Sequence, residues 1–218
     1  MVQRVAILAL LVFALSAASL ANGGKVESIG AFTDQAASDS VRGALESAGY
    51  RVTAADGSVI CEVWLRKGVP PAQKTDVQGA IYPIADSALV GVISFPKQTT
   101  DFRGQSIKPG LYTLRYAVHP NDGNHLGISP NRDFLLMVPV SVDKDASAQM
   151  KFEDLVKMSK NASGTNHPAG LSLVSSEGKK DFPSVAQDDN NRTILVAKAK
   201  NAAGADLPIA LIVKGVAE

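Results

Sequence analysis

Apolar residues in the body of this chain come in strand-length runs, each closed by Gly, Pro, Asn or Asp. These runs do not alternate regularly with helical segments of about ten to fifteen residues, as a series of parallel β-α-β units would. Tyr50–Ala54 and Ser58–Arg66 flank Ala55-Asp56-Gly57, where Asp-Gly supplies the positive φ angles of a tight hairpin turn. In the second of these runs Val59, Cys61, Val63 and Leu65 share one face, and Ile60, Glu62, Trp64 and Arg66 share the other. Further strands are expected at Ala88–Phe95, Leu111–His119, Asp133–Val142, Leu171–Val174, Arg192–Ala199 and Leu207–Lys214. Pro109-Gly110 forms the turn before the Leu111 strand. Pro139 places its strand at an edge or bends it.

Two segments carry helical periodicity. In Asp34–Gly49, Val41, Ala44, Leu45 and Ala48 fall on one face, Ser38, Asp39 or Ser40 can cap, and Gly49 ends the helix. In Ser147–Ser159, Phe152, Leu155 and Val156 fall on one face. The expected fold is mainly β: an antiparallel β-sandwich with about two peripheral α-helices, forming one domain over residues 22–218. Residues 22–57 are expected as a peripheral helical lead-in to it.

Residues 1–21 read as a secretory signal peptide. Arg4 is the positive start, Val5–Leu15 is the apolar stretch, and Ser19 and Ala21 are the small residues of the cleavage site. No later stretch approaches the ~18 apolar residues of a membrane span. Export to the periplasm or the extracellular side of a bacterial cell envelope is therefore expected, without a stable membrane anchor after cleavage. Of 22 basic residues one is Arg4, so the remainder balance the 21 acidic ones. No basic face is interleaved with aromatics, which argues against nucleic acid as a partner. Cys61 is the only cysteine. No internal disulfide is possible, and stability must come from core burial.

The run Arg103-Gly-Gln-Ser-Ile-Lys-Pro-Gly-Leu-Tyr-Thr-Leu114 resembles a turn-and-strand pattern of secreted prealbumin-like β-sandwich domains, in which an aromatic residue, here Tyr112, follows a Pro-Gly turn. The terminal strand Pro208–Val213 is similar to those that end exported bacterial proteins of unknown function. The resemblance covers about a quarter of the chain and implies a fold, with no functional residue carried over.

All three histidines lie in two Asn/Gly/Pro-rich segments, His119–His125 and Gly164–Gly170, the latter holding His167. Imidazoles suit zinc or copper, so His119, His125 and His167, with Asp122 or Asp133 assisting, form a candidate metal site. The spacing lacks the helical-turn logic of H-E-x-x-H, and the rings meet only if the two loops converge. A calcium loop, a G-x-S-x-G nucleophile elbow and phosphate-binding glycine loops are all missing from the sequence. Glu62, Trp64, Arg66 and Arg115 are candidate ligand-binding residues on the polar faces of two strands. Trp64, Tyr82, Tyr112 and Tyr116 form either an aromatic platform or core. The function expected from the sequence is a non-enzymatic binding or interaction module for an unidentified ligand or envelope protein. The alternative is a zinc or copper protein, with or without catalysis, built on the histidine loops. A third expectation is assembly by strand addition through the apolar C-terminal pair.

Overall fold

The structure is a computed structural model that describes residues 24–73, 79–119 and 131–217. The signal segment, His125 and Asp122 lie outside the described residues. The elements are β1 (Lys25–Ile29), α1 (Asp39–Ala44), β2 (Gly49–Thr53), β3 (Val59–Leu65), β4 (Leu89–Phe95), β5 (Thr99–Thr100), β6 (Ser106–Ile107), β7 (Gly110–Val118), β8 (Asp133–Pro139), α2 (Phe152–Ser163), β9 (Gly170–Val174), β10 (Ser184–Gln187), β11 (Thr193–Lys200) and β12 (Asp206–Lys214). No described helix is long and apolar enough to cross a membrane.

Ten strands form one antiparallel sheet in the order β1-β2-β3-β4-β7-β8-β9-β12-β11-β10, and β5–β6 is a separate hairpin. The edge strands β1 and β10 approach each other, so the sheet curls almost into a barrel. The chain after β3 closes one end, where the Val69 N–H donates to Lys200 O at 2.7 Å and the Ala202 N–H donates to Val69 O at 3.0 Å. A single curled sheet therefore stands where two packed sheets were expected.

Alternation along each strand fills the interior. Cys61, Val63 and Leu65 of β3, Tyr112, Leu114 and Tyr116 of β7, Leu135 and Met137 of β8, and Leu207, Ile209, Leu211 and Val213 of β12 share one core. Burial pushes the Cys61 thiol well above its ordinary pKa, as befits a small core residue. Tyr82 is also in this core, so it, Tyr112 and Tyr116 are packing residues.

The outer face is covered too, in three patches. The segment around α1 brings Phe32, Ala37, Val41 and Leu45 over Trp64 and Val92. Helix α2 sets Leu155 on Ala117, Phe134, Leu136 and Val138. Phe102, from the β5–β6 turn, covers Ile194, Val196, Ala210 and Ile212. Burial on both faces accounts for the near-continuous apolar runs of β4 and β8.

The N-terminal segment departs most from expectation. Beside the expected hairpin strand, found as β2, the lead-in contributes an unexpected strand, β1, which pairs with it in the sheet. The helix is confined to Asp39–Ala44, with Ser38 as its cap and an extended Leu45 ending it. Gly49 opens β2 instead of closing the helix. It is small because a Cβ there would lie 2.5 Å from the Trp64 indole. Pro139 sits at the last position of β8, between β7 and β9. The C-terminal strand β12 is bonded on both sides, by β9 and β11. Its pairing with β11 runs along the strand and that with β9 is confined to Ala210 and Leu211, so β12 is an interior strand of the sheet.

The outer face of β7 holds a buried ion pair. The Arg115 guanidinium, fully buried, donates from Nε and Nη2 to Asp143 at 2.7 and 2.8 Å. Its other N–H groups reach the carbonyls of Ser87, Ala148 and Asp145. The Thr113 hydroxyl also donates to Asp143, at 2.6 Å. Arg115→Met leaves the Asp143 carboxylate buried without its cation. We expect a loss of about 3–5 kcal/mol in urea unfolding. The double variant Arg115→Met, Asp143→Leu should recover most of that loss. A double variant no more stable than the single one would mean that the pair itself, rather than the stranded charge, carries the stability.

Candidate functional site

The geometric question posed by the sequence was whether the two histidine loops meet. Of the first loop only His119 is among the described residues, and it shares with His167 the lining of one pocket of about 180 Å³. His119 follows the last residue of β7 on its outward-facing side. Its N–H donates to Arg132 O at 2.9 Å, and the Arg132 Nε returns a bond to His119 O at 2.9 Å. Its ring stacks on Phe134 of β8, with centroids 4.0 Å apart and planes 11° from parallel.

His167 is placed by the end of α2. Gly164 adopts the left-handed conformation (φ 66°) that stops the helix, and its N–H returns to Lys160 O. The chain then folds back through serine and threonine contacts. The His167 N–H donates to Thr165 Oγ1 at 3.0 Å, and Ser163 Oγ donates to His167 O at 2.6 Å. Gln105 of the β5–β6 turn joins this loop to the opposite wall, with Thr165 Oγ1 donating to its Oε1 at 2.6 Å and its Nε2 donating to Pro168 O at 2.9 Å.

The opposite wall hangs on Asp101. This fully buried carboxylate accepts from the N–H groups of Arg103 (3.0 Å), Gln105 (2.8 Å) and Gly170 (3.3 Å), and from Gln105 Nε2 at 2.7 Å. A charge with this many donors is well compensated. It fixes Phe102 and Arg103 at the pocket edge, and the Arg192 guanidinium backs the Phe102 ring at 5.7 Å.

The rest of the lining is mostly apolar, with Phe134 and Leu136 of β8, Phe152 and Val156 of α2, Pro168 and Leu171; Ser172 of β9 adds a hydroxyl. No carboxylate side chain lines the pocket among the described residues. Neither do the described residues contain a group of three or more His, Cys, Asp or Glu side chains able to hold a metal ion. Arg103 is exposed, and its guanidinium has no ion-pair partner among the described residues.

The four candidate ligand-binding residues do not form one open site: Arg66 and Arg115 approach each other beneath the 145–148 segment, and Glu62 and Trp64 are engaged elsewhere. Glu62 pairs with Arg51 on β2 at 2.7 Å. Trp64 lies under the α1 segment, its Nε1 donating to Gly30 O at 2.9 Å and its ring edge-on to Phe32. Arg66 donates to Ala146 O at 2.8 Å. Arg115 spends every N–H inside the fold, so the polar face of β7 is a buried anchor and not a cleft. Asp133, considered as a metal ligand, is fully buried and accepts from the Ile81 and Tyr82 N–H groups and the Tyr116 hydroxyl.

Sequence reasoning missed Phe102, Arg103 and Phe134 as site residues. Their signal was available only in part: Phe152 and Val156 were legible as one face of α2, but nothing local showed that this face stops short of covering β8.

Two wider clefts flank Ser87, of about 550 and 500 Å³. Their linings mix Asp86 and Glu153 with Lys151 and Arg132, so they are proportionally far more polar than the histidine pocket. Ser87 has a positive φ of 59°, which its own bonds hold in place: its Oγ accepts from Met150 N–H and its carbonyl from Arg115.

Asp101→Ala strands four donors at once. Amide hydrogen exchange should speed up at Arg103, Gln105 and Gly170 by about tenfold or more, since each lost bond to a charged acceptor is worth about 1.5–3 kcal/mol. Exchange in β11 and β12 should stay unchanged. Uniform acceleration across the sheet would show that Asp101 supports the whole fold instead of this wall. The chain matches no family model, no curated protein and no solved structure, so the role of the pocket is argued from its chemistry alone.

Proposed function

We propose that this is an exported, non-enzymatic binding protein of the bacterial envelope, and that it takes a small, largely apolar molecule into the His119–His167 pocket. The observation that carries this reading is a largely apolar pocket lined by both His119 and His167, one wall of which is tied by Gln105 and Asp101 to the His167 turn. Rigid walls carrying a few polar groups are the usual form of a small-molecule site. An apolar cavity of about 150 Å³ accommodates benzene, so a pocket of about 180 Å³ suits one ring. The signal-like residues 1–21 support the export half of the proposal.

Burying one ring contributes about 1.5–3 kcal/mol, while a millimolar complex needs about 4.1 kcal/mol. A bare ring should therefore bind weakly, in the millimolar range or above. We expect toluene, titrated into the labelled protein up to its solubility, to shift the amides of Phe134, Gly170 and Leu171 selectively and in proportion to its concentration. Val156→Trp, which fills the pocket from a half-buried helix position, should abolish those shifts. Wild-type protein showing no shift there, or equal shifts across the sheet, overturns the proposal.

A zinc or copper site remains the second reading, because the shared pocket brings two of its three imidazoles to one place. Metal analysis of the purified protein separates the two. On the primary reading, zinc and copper are far below stoichiometric and unchanged in His119→Ala and His167→Ala. Near-stoichiometric metal lost in both variants would make the pocket a metal centre.

A further inference from the structure

The pocket is apolar inside and cationic at one edge. The cation is Arg103, held at the rim by its own main-chain N–H bond to Asp101 Oδ1 at 3.0 Å. The nearest carboxylate in sequence, Asp101, cannot serve Arg103 as a surface partner. It is fully buried and committed to the Gln105 side chain and three main-chain N–H groups. The guanidinium thus stands beside an apolar pocket with no ion pair among the described residues. A guanidinium is a planar fork that matches a carboxylate in bidentate fashion.

The walls narrow the apolar part of the ligand. Phe102, Phe134 and Phe152 all line the pocket, and the His119 ring is already stacked on Phe134. Aromatic rings prefer offset-stacked and edge-to-face partners, so a flat ring uses this wall better than a puckered one. The volume allows about one ring.

From these observations we infer that the ligand is a single-ring aromatic carboxylate, its ring among Phe102, Phe134 and Phe152 and its carboxylate on Arg103. This rests on the pocket being the ligand site proposed above. The carboxylate supplies what the ring lacks. A charge-assisted, two-pronged contact is stronger than a neutral hydrogen bond, and it moves a millimolar ring complex into a range useful for recognition.

Calorimetric titration of the full chain with benzoate, benzamide and cyclohexanecarboxylate tests this. Benzoate should bind at least about tenfold more tightly than benzamide, which matches its shape without its charge. It should also bind more tightly than cyclohexanecarboxylate, which matches its charge without its flatness. Arg103→Gln, at an exposed position outside the core, should remove the benzoate preference and leave benzamide unchanged. Val156→Trp should remove all binding. Equal affinity for benzoate and benzamide, or a benzoate preference that survives in Arg103→Gln, overturns the carboxylate assignment while the pocket stands. Cyclohexanecarboxylate binding as well as benzoate overturns the aromatic one. Failure of all three ligands, with toluene also failing, overturns both the inference and the pocket on which it rests.

Discussion

The strands of this sheet carry apolar residues on both faces, and that obliges the chain to cover the sheet twice. Curling covers the inner face: alternate residues of β3, β4, β7, β8, β9, β11 and β12 meet in one interior. Among the described residues the outer face meets no second large sheet, only the two-stranded β5–β6 hairpin. It is covered piecemeal by the α1 segment, by α2 and by the β5–β6 turn. With a single buried cysteine the protein has no internal disulfide to share this task. Apolar burial, at about 25 cal/mol per Å² removed from water, must supply the bulk of the stability, so each cover matters.

Piecemeal covering produces seams, and the pocket is one of them. Phe102 belongs to one outer patch and Phe134, Leu136, Phe152 and Val156 to another. Between them the covers do not meet, and the gap is the His119–His167 pocket. The same logic explains Arg115. The outer face of β7 passes from Leu111, under the α1 patch, to Ala117, under α2. The stretch between is covered by the 143–148 segment, which brings main-chain carbonyls rather than apolar side chains. Arg115 answers those carbonyls with its N–H groups and Asp143 with its charge. A polar strand face became a polar seal.

The strands themselves were legible because alternation and turn residues are local. Ala88–Phe95 was expected and Leu89–Phe95 is found; Leu207–Lys214 was expected and Asp206–Lys214 is found. The arrangement of those strands was not legible. A period of two is the same whether a strand faces a second sheet or the inside of a curl, so nothing in the pattern separated a sandwich from a near-barrel. β1 escaped notice because Lys25–Ile29 lies at an edge with mostly exposed side chains. Gly49 was misread because a glycine after a helical pattern resembles a stop signal, while its real constraint is a tryptophan in the next strand.

The candidate site divides along the same line. That His119 and His167 sit in turns was plain from their neighbours. That they share a pocket depends on Gln105 bonding to both Asp101 and Pro168, contacts between residues far apart in sequence. Arg115 and Trp64 illustrate the converse error, since polar or aromatic residues on an apparently solvated strand face were in fact beneath a cover. The consequence for the pocket is physical. Its aromatic wall consists of cover residues from outside the curled interior, and its cationic edge is an exposed turn. Changes at Arg103 or Val156 can alter what the seam accepts without disturbing the interior that holds the sheet closed. The exposed turn at Arg103 carries none of the interior's load, whereas the aromatic cover residues both line the seam and bury the outer face of the sheet.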